Sequence, residues 1–285
     1  MIDTSHQPIL RFAPSPNGPL HLGHAYSALK TWEIAERIGG TVLLRIEDID
    51  TQRSRSEFIE QAKDDLTWLG LKWPEPVRHQ SGHFADYQAA ARQLEDMGLL
   101  YPCFATRREI SEAATGQTDP DGAPLYPGLW KSASREEVAR RMAANEPHAL
   151  RIDMAAATKR MGGPLTTVFM DDNGTSTEKC IDPSVWGDAV IVRKETPTSY
   201  HLSVVVDDAL QSVTHVTRGQ DIEPATSLHR LLQTLLGLPA PVYHHHALIT
   251  DSAGRKLSKR FQDAGLQSLR DEGWTPDDVR AAVGL

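Results

Sequence analysis

Between residues 9 and 46 the chain spells a strand, a glycine- and proline-rich loop, a helix and a second strand. No other stretch limits its fold as tightly. Ile9-Leu-Arg-Phe12 reads as a short buried strand. Apolar residues then recur at helical spacing from Leu22 through Ala25, Leu29, Trp32 and Ile38, and Gly39-Gly40 stops the helix. Thr41-Val-Leu-Leu-Arg-Ile46 is a continuous apolar strand of the kind found in covered parallel sheets. The result is a βαβ unit. Its loop enters the helix through His21-Leu22-Gly23-His24. Unpaired N–H groups and the dipole of a helix N-terminus favour an anion such as phosphate. Gly18 and Gly23 are expected to remove side chains where backbone approaches a ligand. His21 and His24, three residues apart, share one face of a helical turn and can offer ring N–H groups to phosphate oxygens.

The α/β pattern breaks and then returns. Ser54 to Leu69 and Phe84 to Met97 read as helices. From Tyr101 to Trp186 glycine, proline and short strand-like runs dominate, with one clear helix near Arg135 to Ala144. Ala189-Val-Ile-Val192 and Val213-Thr-His-Val-Thr217 read as strands of a second sheet half, followed by a helix from Ala225 to Leu236 and a strand at His246-Ala-Leu-Ile249. The expected architecture is α/β, a Rossmann-type parallel sheet split by an inserted α+β module and ending in a short helical tail. Its expected divisions are 1–100, 101–187 for the insert, 188–262 and 263–285.

Far downstream lies Lys256-Leu-Ser-Lys-Arg260. Two ammonium groups, from Lys256 and Lys259, closing on a pentacovalent phosphorus would offset its developing charge, and losing one such contact costs ~3 kcal/mol. With the first βα turn before one motif and the last strand before the other, the two describe an ATP site suited to forming acyl-adenylates. A substrate carboxylate is already a nucleophile, so the chemistry needs positioning and charge stabilisation rather than a general base.

Composition narrows the setting. The net charge of −8 over 285 residues argues against blanket nucleic-acid affinity but not against a local basic groove. No run of eighteen apolar residues exists and the N-terminus lacks the pattern of a secretory signal, so no membrane partner is expected. Two cysteines, Cys103 and Cys180, suggest no disulfide framework. The expected setting is cytoplasmic and the expected state a monomer.

The chain resembles the class I aminoacyl-tRNA synthetases, whose two signatures, HIGH and KMSKS, match His21–His24 and Lys256–Arg260. Arg11-Phe-Ala-Pro-Ser-Pro16, Leu44-Arg-Ile-Glu-Asp48, Val204-Val-Val-Asp-Asp208 and Thr217-Arg-Gly-Gln-Asp221 resemble the glutamyl-tRNA synthetase subfamily in particular. The chain ends 26 residues after Lys259, where ordinary members carry a helical anticodon-binding part. In this it is similar to the glutamyl-queuosine tRNA(Asp) synthetase family. That family activates L-glutamate with ATP and esterifies it to the queuosine base in the anticodon of tRNA(Asp). The resemblance implies ATP with Mg²⁺ as substrate. It places Arg11, Ala13, Ser15, Glu47, Tyr200 and Arg218 around glutamate, with Glu47 taking the α-ammonium group and a guanidinium taking a carboxylate. His21, His24, Lys256 and Lys259 become the catalytic residues, and Gly18 and Gly23 join them at ATP. Read without the resemblance, Glu47 and Asp48 could equally pair with Arg45 or Arg53 on the surface, and Tyr200 could be a half-buried core residue. The alternatives are a minimal glutamyl-tRNA synthetase charging the tRNA 3′ end, an ATP-dependent ligase or adenylyltransferase for a small metabolite on the same core, and a non-catalytic tRNA-binding or scaffold protein.

Two further points follow from the resemblance. Many members hold zinc through Cys-x-Cys and Tyr-x-x-x-Cys in the insert. Here those positions read Cys103, Ala105, Tyr126 and Trp130, and one thiolate with one phenol does not hold structural zinc, so none is expected. The family's histidine-rich strand corresponds to His244-His245-His246, facing the nucleotide rather than a metal. The basic pairs Arg107-Arg108, Arg140-Arg141 and Lys159-Arg160 are candidates for the anticodon stem-loop, or ordinary solvated surface.

Overall fold

The computed structural model describes residues 7–249 and 265–285. The opening unit forms as the sequence implies: β1 (Ile9–Phe12), α1 (Leu22–Ile38) and β2 (Thr41–Ile46), with β1 and β2 parallel and Leu10 opposite Val42. Leu22, Ala25, Ala28, Leu29, Ile34 and Ala35 make the buried stripe of α1. A fully buried leucine of this kind contributes about 1.5–3 kcal/mol. Gly39 closes the helix at φ +68°, a conformation that a Cβ would strain.

After α2 (Ser56–Trp68), the short β3 (Arg78–His79) adds to the free edge of β2, again parallel. Helix α3 (Phe84–Asp96) leads to β4 (Leu100–Cys103), α4 (Arg107–Glu112), α5 (Arg135–Ala143), β5 (Ala149–Ile152), α6 (Met154–Met161) and the hairpin β6 (Leu165–Met170) and β7 (Ser176–Ile181). Then come β8 (Val190–Val192), α7 (Tyr200–Leu210), β9 (His215–Gly219), α8 (Ala225–Leu236) and β10 (Val242–His246). Past the undescribed stretch lie α9 (Leu266–Asp271) and α10 (Pro276–Val283).

Strands β9, β10 and β6 run parallel, with β7 antiparallel at the edge. Thr214, just before β9, joins this sheet to the first. Its N–H donates to the Ile9 carbonyl at 2.9 Å, and its hydroxyl accepts the Ile9 N–H at 2.8 Å. Strand β1 therefore has β2 on one side and β9 on the other. The chain leaves β1 toward β2 and returns on the opposite flank, which makes the carboxyl end of β1 a topological switch point, where open α/β sheets bind ligands.

The insert is less self-contained than its expected bounds, 101–187. Strands β4, β5 and β8 form their own antiparallel sheet, but the β6–β7 hairpin extends the main sheet at β10. Ala189–Val192, expected in the main sheet, pairs instead with β5. The last strand also lies earlier than expected. Val242–His246 makes the ladder with His215–Gly219, and Ala247–Ile249 does not. The apolar run suggested otherwise, but each histidine has a polar partner that lets it sit in a strand.

The two terminal helices fold back onto the opening unit. Leu266, Leu269, Val279 and Val283 share one core with Leu10, Leu29 and Leu66. Arg270 pairs with the buried Asp65 at 3.2 Å. A second core gathers α3, α6, α7 and α8 around Leu94, Leu202, Leu228 and Trp186.

Candidate active site

His21 is the N-cap of α1. Its Nδ1 accepts the Gly23 N–H at 3.0 Å, and the Nδ1 of His24 accepts the His21 N–H at 3.2 Å, closing a reciprocal capping box in which histidine replaces the usual hydroxyl and carboxylate. An Nδ1 that accepts leaves the proton of a neutral ring on Nε2. The cap thus fixes both tautomers, and the rings lie 3.9 Å apart between centroids. Burial, helped by His21, lowers the His24 pKa to about 4, so His24 is neutral at physiological pH. Gly23 serves this cap: a Cβ there would stand 2.9 Å from the His21 ring. At Gly18 a Cβ would meet nothing within 4 Å, so its expected need for a bare backbone has no counterpart in the protein's own packing.

A cavity of about 330 Å³ opens at the carboxyl ends of β1 and β9. It is lined by Arg11, Ala13, Ser15, His24, Glu47, Tyr200 and Arg218, and also by Ser27 and Thr217, which the sequence did not single out. Arg11 lies one residue before the end of β1, Glu47 follows β2, Arg218 lies near the end of β9 and Tyr200 opens α7. Four separate elements thus bring the candidate glutamate residues to one place.

The charges are arranged unequally. Arg11 donates from Nε to Asp208 at 3.1 Å, and Arg45 donates to the same oxygen at 2.6 Å. Asp207 takes Arg78 at 2.7 Å, Gln80 at 2.8 Å and the Tyr87 hydroxyl at 2.9 Å. The Asp207-Asp208 pair is an anchor for arginines from three strands, consistent with a place in the sheet-end architecture. Burial opposes ionisation of Asp208, but Arg11 and Arg45 outweigh it and hold its pKa below the usual range. Asp48 takes the Ser81 backbone N–H and hydroxyl, and Arg53 pairs with Asp50, so the surface pairing of Glu47 and Asp48 with Arg53 does not form. Among the described residues Glu47 has no hydrogen-bond partner for its carboxyl group. Burial raises its pKa to about 7, against the pull of Arg45 and Arg11.

Arg218 is 4% exposed. It donates from Nε to His245 at 3.2 Å, from one terminal nitrogen to Thr226 at 2.6 Å, and meets His229 Nδ1 with the other at 3.1 Å. His245 therefore supports the cavity through Arg218. His246 reaches the cavity-lining Ser27 at 3.1 Å, and His244 reaches Asp172 of the β6–β7 turn at 3.1 Å. Lys256 and Lys259 lie outside the described residues. The segment that holds them is followed by Gly265, which bridges to His21, while the Leu266 N–H donates to the Leu20 carbonyl at 2.7 Å.

In the insert, Cys103 Sγ lies 3.3 Å from the Tyr126 hydroxyl, which also accepts the Trp130 N–H at 2.8 Å. Trp130 packs edge-on to Phe104, with the Arg141 guanidinium over its ring. With Ala105 and Trp130 at the other two positions, this set does not fit a structural metal. Three of these six basic residues are already engaged. Arg108 pairs with Glu112, and Arg140 and Arg141 share Glu137.

Comparisons with known proteins agree with this fold. Residues 9–285 match the family described as tRNA synthetases class I (E and Q), catalytic domain. The chain is 44% identical to the glutamyl-Q tRNA(Asp) synthetase of Rhodobacter capsulatus, over 97% of this chain and 100% of that one. It is 38% identical to glutamate–tRNA ligase 2 of Nitrosococcus oceani, over 94% of this chain but 56% of that one. The crystal structure of glutamate-tRNA synthetase from Elizabethkingia anophelis superposes with a TM-score of 0.74 at 29% identity, covering 90% of this chain and 54% of that one. With the switch-point cavity, the histidine-capped helix and a match of this extent, the chain belongs to the class I tRNA synthetases for glutamate and glutamine, a family in which it has a full-length relative in the glutamyl-Q tRNA(Asp) synthetase of R. capsulatus.

Proposed function

We propose that the protein activates L-glutamate with Mg-ATP and transfers it to the queuosine base in the anticodon of tRNA(Asp). The observation that carries this reading is the charge inventory of one cavity. Arg11 and Arg218 keep N–H groups beyond those engaged within the protein, and Glu47 has a carboxyl group without a partner among the described residues. An amino acid with two carboxylates and one ammonium group complements that set. Arg218 takes the side-chain carboxylate, Glu47 the α-ammonium group, and Arg11, Ala13, Ser15 and Tyr200 complete the walls.

In the first step a glutamate α-carboxylate oxygen attacks the α-phosphorus. A phosphorus–oxygen bond forms, the bond to the leaving pyrophosphate breaks, and glutamyl-adenylate results. His21 and His24 offer Nε2–H groups to phosphate oxygens at the helix N-terminus, beside Gly18 and Gly23. Lys259, helped by Lys256, stabilises the pentacovalent phosphorus. In the second step a hydroxyl of the queuosine cyclopentenediol attacks the activated carbonyl, loses its proton, and AMP leaves. The choice of acceptor rests on the relative matched over its whole length. The basic residues Arg107, Lys159 and Arg160, which have no acidic partner among the described residues, remain available to a tRNA backbone.

Glutamate-dependent exchange of pyrophosphate into ATP tests the first step. Exchange with glutamate and its loss in Lys259→Ala support the reading; absence of exchange in the wild type, or full exchange in the variant, overturns it.

A further inference from the structure

The buried Arg218 differs from the other buried arginines of this site in one respect. Arg11 and Arg45 each meet an aspartate. Arg218 meets His245, His229 and Thr226, and among the described residues no carboxylate lies within ion-pair distance of it. A guanidinium only donates, so His229 Nδ1 must accept, which places the His229 proton on Nε2. That nitrogen lies 3.1 Å from His201 Nδ1, so it donates there, and the His201 proton in turn sits on its own Nε2. Both imidazoles are thereby held neutral, because a proton on either Nδ1 would face another donor. Burial and the Arg218 charge act in the same direction, holding His229 well below its usual range and His201 at about 4.

We propose that His229 is a positioning residue which orients Arg218 without neutralising it, through a hydrogen-bond chain ending at His201, so that the full guanidinium charge is kept for an acidic amino-acid side chain and the site rejects the neutral amide. A carboxylate at the His229 position would hold the guanidinium equally well. It would also satisfy its charge inside the protein and repel a second carboxylate. His201 lines a second cavity of about 360 Å³ whose wall, Tyr200, is shared with the first. The chain therefore runs from the amino-acid cavity to its neighbour. The inference rests on the proposed role of Arg218 as carboxylate partner.

The test is the isosteric pair His229→Asn and His229→Asp, assayed by pyrophosphate exchange. Asn presents an oxygen acceptor where Nδ1 stood and carries no charge. His229→Asn is expected to keep the glutamate KM within about threefold of wild type. His229→Asp is expected to raise it by about thirtyfold or more, the scale of a lost hydrogen bond to a charged group, with the ATP KM unchanged. Equal glutamate KM values for the two variants overturn the inference. A wild type that shows no glutamate-dependent exchange overturns the proposed function instead. If the aspartate variant does not fold, nitrogen-15 spectra of the wild-type imidazoles decide: Nε2–H forms of His201 and His229 support the chain, and an Nδ1–H form of either excludes it.

Discussion

Glu47 shares a cavity with Arg11 yet makes no hydrogen bond to it, because the Arg11 guanidinium turns to Asp208 at 3.1 Å. The carboxyl group is left half-buried with a pKa raised to about 7. An ammonium ligand needs it ionised. Glutamate affinity should therefore fall as the pH drops from 8 to 6, and binding near pH 7 should release a proton, measurable by calorimetry in buffers of different ionisation enthalpy. Glu47→Gln should weaken binding and remove this pH dependence.

The same raised pKa has a stability consequence. A carboxyl group whose folded pKa exceeds its unfolded value contributes stability below the unfolded pKa and loses it as pH rises through the folded one, here near 7. Glu47→Gln should accordingly raise the melting temperature of the ligand-free protein at pH 8 and leave it little changed at pH 4, as followed by circular dichroism.

In the proposed mechanism His24 combines its observed capping role with a chemical role on the other ring nitrogen. His24→Asn keeps an acceptor for the His21 N–H and removes the Nε2–H donor. Its kcat for adenylate formation should fall about 10²–10³-fold, as for loss of one oxyanion donor, with little change in melting temperature. His24→Ala should lose the cap as well, at about 1 kcal/mol of additional stability. Equal melting temperatures for the two variants would argue against the histidine cap.

Asp208 holds two buried arginines. Asp208→Asn removes the carboxylate that both arginines meet, leaving Arg45 only the more distant Asp207 at 3.9 Å, and denaturant unfolding should show a loss of about 3–5 kcal/mol. The wild-type aspartate is ionised below the usual carboxylate range, so its contribution persists above the unfolded pKa and disappears as pH falls through the lowered value.

For the insert, metal analysis of purified protein should show zinc well below stoichiometric. Near-stoichiometric zinc would contradict the reading of Cys103, Ala105, Tyr126 and Trp130 as a set that does not hold it.

Much of the candidate site was legible, in that the residues gather in one cavity, because local signals and chemistry coincide there. The βαβ unit, which sets Arg11 and Glu47 near the carboxyl ends of its strands, follows from apolar spacing and two glycines. The capping function of His21 and His24 was not legible, since histidine is not a usual cap and its effect depends on which ring nitrogen accepts. Helix α7 was hidden for another reason. Leu202 to Asp208 is buried on every side, so no amphipathic period marks it, and Val204-Val-Val206 has the β-branched look of a strand. The roles of His229 and His201 depend on contacts across 11 and 28 residues of chain, which no local pattern encodes. The β6–β7 hairpin joined the main sheet through pairing with β10, also a long-range choice.

The most direct test of the central claim is to incubate the protein with ATP, labelled glutamate and tRNA from cells with and without queuosine, then cleave the tRNA and locate the label. The account predicts label in the anticodon fragment of tRNA(Asp), and only in queuosine-containing tRNA. Label at the 3′ end, independent of queuosine, would contradict it.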